Sequence, residues 1–180
     1  MKKNTLLSTI VFAFIMLISI NSNAQKFAKL DKSPLDVSVY RTDRNAPAFV
    51  KVVYSRPFLK GRELSKLAPN GEVWRTGANE AADITIYNPM KIGGKSIAAG
   101  TYSLFTIPGE KEWTIILNKD VNVWGAYSYK AANDVLRVKA PVTTGDTALE
   151  NFSIAFKKTD AGADMYLAWG TTRVAVPFTN

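Results

Sequence analysis

Beyond residue 34 the chain alternates between apolar and polar positions in short runs. In LDVSVYR (35–41), Leu35, Val37 and Val39 fall on one side and Asp36 and Ser38 on the other. Phe152, Ile154 and Phe156 alternate with Ser153 and Ala155, and Met165, Leu167 and Trp169 alternate with Tyr166 and Ala168. Val174, Val176 and Phe178 repeat the pattern. A period of two is that of a strand with one buried face, so these segments predict strands with the apolar set inward. FVKVVYS (49–55), EVWRT (72–76), DITIYN (83–88), TYSLFTI (101–107), EWTIILN (112–118) and DVLRVKA (134–140) complete the set. Between them lie turn residues: Asn70-Gly71, Gly93-Gly94, Pro108-Gly109, Gly145-Asp146 and Asp160-Ala161-Gly162. No long segment has a 3.6-residue period; GRELSKL (61–67) and YSYKAAND (127–134) suit single helical turns. The expectation is an all-β, single-domain antiparallel β-sandwich or jelly-roll-like fold of roughly ten short strands.

The first residues break this pattern. Lys2 and Lys3 precede a mostly apolar run over residues 6–20, followed by Ser22 and Ala24 with small side chains. That order predicts a secretory signal peptide over residues 1–24, cleaved after Ala24. The run is shorter than the ~20 residues a spanning helix needs, and no later run in the mature chain is long enough. Without a cysteine there is no lipid attachment point after it. Residues 25–34 then read as a flexible lead-in and 35–180 as the domain. The expected address is periplasmic, outer-membrane-associated or extracellular.

Composition narrows the chemistry. The chain has no Cys and no His. This removes disulfides, thiol nucleophiles, thiolate metal sites and histidine-based triads. The formal charge of +8 falls to +6 without Lys2 and Lys3. The basic residues are scattered, with Lys157-Lys158 the one adjacent pair after the leader, so no nucleic-acid partner is expected.

Several motifs have ordinary explanations. GGKS (93–96) has Pro89 where a phosphate loop needs glycine, and it precedes a strand-like segment; a Gly-Gly hairpin turn accounts for it. Asn151-Phe152-Ser153 has the form of a glycosylation acceptor, but Phe152 reads as core. Asn118, Asp120 and Asn122 alternate as in the start of a calcium loop, without its glycine or its closing Glu. No cofactor is expected, a structural calcium at this turn being the one exception. Trp124, Tyr127 and Tyr129 admit two readings: a sugar-stacking platform, or core aromatics with hydrogen-bonded polar tips.

WRTGANEAAD (74–83) concentrates unlike polar groups at one bend. With Trp74 inward, strand alternation turns Arg75 outward. A four-residue reversal over 76–79 then sets Arg75 opposite Glu80, a pair worth ~0.2–1 kcal/mol. The functional alternative gathers Arg75, Asn79 and Glu80 with the basic loop RPFLKGR (56–62). There Arg56 and Arg62 would contact a ligand, with Tyr54, Trp124, Tyr127 and Tyr129 as aromatic neighbours. Arginine forks suit anions. Glu80 with Asp83 instead supplies the carboxylate pair of a glycoside hydrolase, whose oxygen separations sequence cannot set.

YSRP (54–57), KGR (60–62), WRTGANEA (74–81), AGTYSLFTIP (99–108), the strand from Trp113 to Asn118 and WGAYSY (124–129) together resemble exported bacterial proteins of domain-of-unknown-function family 2911. The resemblance spans about residues 35–178, with WRTGANEA its most specific stretch. It implies a secreted, mainly β domain and carries over no catalytic residues. Three functions follow as expectations. The first is a non-enzymatic envelope domain binding an anionic or polyhydroxylated small molecule, glycan or peptide. The others are a carboxylate hydrolase and a protein-interaction or scaffolding module of the envelope.

Overall fold

A computed structural model describes residues 25–179. The expected signal peptide, residues 1–24, lies outside the described residues. Residues 25–34 carry no regular structure and are almost wholly exposed. The strands are β1 (Leu35–Tyr40), β2 (Val50–Ser55), β3 (Ala82–Ile86), β4 (Met90–Ile92) and β5 (Lys95–Ile97). They continue as β6 (Gly100–Ile107), β7 (Glu112–Asn118), β8 (Asp134–Thr159) and β9 (Gly162–Thr179). One helical turn, α1 (Leu64–Leu67), and one 3-10 turn (Ala131–Asn133) fall in the two segments expected to hold them.

All nine strands form one antiparallel sheet in the order β1-β2-β3-β6-β7-β8-β9-β4-β5. The count and lengths differ from the expected ten short strands because β8 has 26 residues and β9 has 18. β8 pairs with β7 up to Pro141 and with β9 from Val142 onward, bending through two register shifts between Thr144 and Ser153. Gly145-Asp146, read as a turn, lies inside that bend. The sheet thereby folds over on itself in a sandwich-like way, and both halves share one core. Val52, Ile84, Leu104, Ile115 and Leu117 meet Phe152, Met165, Leu167, Val176 and Phe178 there. The Gly93-Gly94 turn is as expected: both glycines take positive φ (55° and 79°) and close the β4–β5 hairpin.

Two expectations are corrected. In β1 the alternation is inverted: Leu35 and Val37 are 69% and 50% exposed. Tyr40 sets this parity by packing inward against Phe49 and Phe156, its hydroxyl donating to the Gly162 carbonyl at 2.8 Å. Asp36 shares that face and pairs with Arg56. Segment 72–76 is not a strand either; only Trp74 bridges β6, at Thr106.

Trp74 belongs to an aromatic cluster in the core. It stacks on Trp169 (ring centroids 5.6 Å) and meets Phe152 (4.9 Å) and Trp113 (6.1 Å) edge-on. Such pairs add roughly 0.5–1.5 kcal/mol each beyond area burial. Phe152→Ala is therefore expected to lower the unfolding free energy by about 3–5 kcal/mol, whereas exposed Tyr127→Ala should stay within about 0.5 kcal/mol. Urea unfolding of the two variants measures both.

Candidate functional site

The segment around Trp74 runs along β6 on the same track as β3. Trp74 exchanges two backbone hydrogen bonds with Thr106 (2.7 and 2.9 Å), and further along Ala82 opens β3 opposite Leu104. Between them residues 76–81 leave the sheet as a loop, closed where Ala82 N–H donates to the Arg75 carbonyl (3.0 Å). Thr76 and Asn79 hold positive φ (53° and 63°). For a β-branched residue this costs on the order of 1–3 kcal/mol, so the surroundings must impose it. Thr76 is buried and donates from Oγ1 to Thr106 Oγ1 (3.2 Å). Gly77 lies so close to β2 that an added Cβ would sit 3.0 Å from the Ser55 carbonyl oxygen.

The far side of the loop is tied to the segment after β7. Ala81 N–H donates to the Val123 carbonyl and Gly125 N–H to the Asn79 carbonyl, each at 3.0 Å, and Glu80 bridges Trp124. The two loops cover a second apolar cluster on the outer face of the sheet. Ala81, Phe105 and Ile116 form its centre, with Val73, Ile107, Val123, Ala126 and Tyr129 around them.

A polar row crosses the same outer face. Asp83, Ser103, Asn118 and Asp134 are successive register partners on β3, β6, β7 and β8. One end of the row is saturated. Asn118 Nδ2 donates to Asp134 Oδ1 (2.8 Å) and to the Lys130 carbonyl, while Tyr129 OH (2.7 Å) and Arg137 Nε (2.6 Å) donate to Asp134 Oδ2. Burial, then the bond to Asp134, raises the Tyr129 phenol above its ordinary value. The other end is open. Asp83 Oδ1, Ser103 Oγ and Arg75 Nε are buried without a hydrogen-bond partner among the described residues. Burial, and after it the charge of Glu80, raises the Asp83 carboxyl above its ordinary range.

At the rim, Glu80 is exposed, Trp124 is 60% exposed and Tyr127 is 88% exposed. The Tyr127 ring lies against Gly125, directly beside the Asn79 contact. Trp124 and Tyr127 are thus surface residues, while Tyr129 is the half-buried aromatic with a bonded polar tip.

The sequence candidates separate into those this surface gathers and those it does not. Asn79, Glu80, Asp83, Trp124 and Tyr127 come together. Arg56 is elsewhere and fully engaged: it binds Asp36 (3.0 Å), the Phe152 carbonyl (3.1 Å) and Ser153 Oγ (2.7 Å), stitching β1 and β2 to β8. Arg62 donates to the Leu59 and Phe58 carbonyls of its own loop. Tyr54 is core, with its hydroxyl bonded to the Ile154 main chain. The expected Arg75–Glu80 pair does not form among the described residues: a six-residue loop replaces the four-residue reversal, and the Glu80 backbone pairs with Trp124 rather than lying across from Arg75. Ser103 was not singled out in the sequence. Its alternation in TYSLFTI marks it as outward-facing, but nothing local signals that two loops cover it.

In the turn at 118–122, Asn118 and Asp120 are tied to each other and to the neighbouring 3-10 turn. Asn118 Oδ1 accepts from Asp120 N–H, and Asp120 Oδ2 from Asn133 Nδ2. Among the described residues no group of three or more acidic side chains suits a metal ion.

Fold and site define a single all-β antiparallel domain with a polar and aromatic loop surface on one outer face. The chain belongs to the family described as protein of unknown function DUF2911, whose profile matches residues 34–178. No curated protein and no solved structure matches it.

A carboxyl held above its ordinary pKa opposes folding once ionised. Ionisation of Asp83 therefore adds no cost below its ordinary value of 3.8, and the cost grows as pH rises from there through its higher folded value. Asp83→Asn should match wild type near pH 3 and exceed it in stability at pH 7, in urea titrations at both pH values. Glu80→Gln should move the Asp83 carboxyl titration, followed by 13C NMR, downward.

Proposed function

We propose that this protein is an exported, non-catalytic recognition domain of the cell envelope that binds a neutral glycan across Asn79, Glu80, Trp124 and Tyr127. Export rests on the leader pattern of residues 1–24. The observation that carries the ligand class is the exposure of Trp124 and Tyr127 beside Glu80. Flat rings cover the apolar faces of pyranoses, and a carboxylate accepts hydrogen bonds from their hydroxyls. Folding gives these two rings no core to fill, so their exposure is better explained by a ligand than by packing. An anionic ligand fits this surface less well, because Glu80 and Asp83 already repel each other there and Arg56 and Arg62 are bound elsewhere, which leaves Arg75 as the cation of this loop.

A second reading is hydrolysis by the carboxylate pair, since burial and Glu80 shift the Asp83 carboxyl upward, the direction a general acid requires. Recognition is the stronger reading. Clefts of about 320, 410 and 400 Å3 lie elsewhere on the domain, and neither Glu80 nor Asp83 lines any of them.

A panel of neutral and acidic oligosaccharides tests the reading, followed by calorimetry on those that bind. Trp124→Ala and Tyr127→Ala should each weaken a neutral ligand about tenfold, with the fold unaltered, the loss expected if a ring holds a sugar as firmly as it holds a stacked nucleobase, about 1–3 kcal/mol. Binding of no oligosaccharide, or unchanged affinity in both variants, would refute it.

A further inference from the structure

Three cations meet on another part of the domain. Lys32, Lys60 and Arg62, with Ser33, Pro57 and Phe58, line a cleft of about 400 Å3 between the start of β1 and the loop after β2. No carboxylate lines it. Among the described residues none of the three cations has a carboxylate within ion-pair distance. Two carboxylates flank the cleft and are held by backbone N–H groups of its lining residues: Asp31 accepts from Ser33 N–H (2.6 Å), and Glu150 Oε1 accepts from Lys60 N–H (2.7 Å). Three like charges lining one cleft without a direct ion pair repel, and an anion in the cleft relieves that repulsion.

The loop holding Lys60 and Arg62 is built firmly. Phe152 N–H donates to the Pro57 carbonyl and Leu59 N–H to the Glu150 carbonyl, both at 2.9 Å, and Phe58 bridges Asn151. Arg62 is fixed through Nε to the Leu59 carbonyl (2.9 Å) and through one Nη to the Phe58 carbonyl (2.8 Å). Among the described residues its other amino group has no hydrogen-bond partner. Lys60 holds a left-handed backbone (φ 49°), and its Nζ lies 5.8 Å from the centre of the Phe58 ring. A positioned guanidinium, two ammonium groups and the Ser33 hydroxyl offer donors to several oxygens of one tetrahedral anion. Phe58 and Pro57 provide an apolar wall for an organic substituent.

We propose that this cleft binds a phosphate monoester. Three cations match a dianion better than a single carboxylate, and the volume falls within the range of small-molecule sites. The cleft shares no residue with the Glu80–Trp124–Tyr127 surface, so the inference does not rest on the glycan reading.

Two probes separate the sources of such a group. Glycerol 3-phosphate, by calorimetry, represents a soluble ester. Phosphatidylcholine vesicles with and without phosphatidate, by co-sedimentation, represent a membrane headgroup. At about 0.15 M salt, where long-range attraction is screened, the wild type is expected to bind at least one phosphate monoester. Lys32→Gln/Lys60→Gln leaves the Arg62 hydrogen bonds intact and should lose about tenfold or more of that affinity. Lys157→Gln/Lys158→Gln removes the same charge from exposed positions on β8 and should lose less than about twofold. Binding of glycerol 3-phosphate assigns a soluble ligand, and binding of phosphatidate vesicles alone assigns a membrane-held one. Failure of both probes, equal binding of vesicles lacking phosphatidate, or equal loss in the two double variants overturns the proposal.

Discussion

Trp74 is held twice. Its ring is packed among Phe152, Trp113 and Trp169, and its backbone is paired with Thr106 on β6. Everything on the outer face depends on that double hold. It fixes where the chain leaves the sheet, while Ala82 fixes where it returns, so residues 76–81 have no freedom to relax into an ordinary turn. The positive φ of Thr76 and Asn79 is the local cost, offset by packing that a large aromatic anchor supplies. Loosening Trp74 would release the loop, and with it the positions of Glu80 and Trp124.

The same constraint explains the polar row below. Two loops pressed onto a sheet face bury whatever that face carries. Phe105 and Ile116 benefit from the cover, whereas Ser103 and Asp83 lose water without gaining a protein partner. A buried group left unsatisfied costs roughly 1–3 kcal/mol. An apolar sheet face here would be more stable, so the polar row is the feature that folding alone does not account for.

Much of the architecture was legible because alternation is a local property. Strand segments, both helical turns and the Gly93-Gly94 hairpin are written in neighbouring residues. What was not legible depends on distant contacts. Nothing near Gly145-Asp146 says that β9 will keep β8 extended through the bend. The parity of β1 is set by Tyr40 reaching Gly162 and by Asp36 pairing with Arg56, so Leu35 and Val37 mislead. In WRTGANEAAD the inward Trp74 was readable, while the Arg75–Glu80 pairing failed because turn length is not encoded by charge spacing. Trp124 and Tyr127 were ambiguous in sequence, since the same residue types fill cores and line surfaces; only tertiary placement separates them.

The domain thus carries two surfaces of opposite character: a carboxylate and aromatic rim at residues 79–83 and 124–127, and a basic cleft at residues 57–62. The first is the proposed glycan site. The chain contains four tryptophans, of which Trp74, Trp113 and Trp169 are buried and Trp124 is exposed. Labelling with 5-fluorotryptophan and titrating a bound neutral oligosaccharide gives one 19F resonance for each. A glycan bound at the rim gives a saturable shift confined to Trp124; an unmoved Trp124 resonance at saturation would rule that site out.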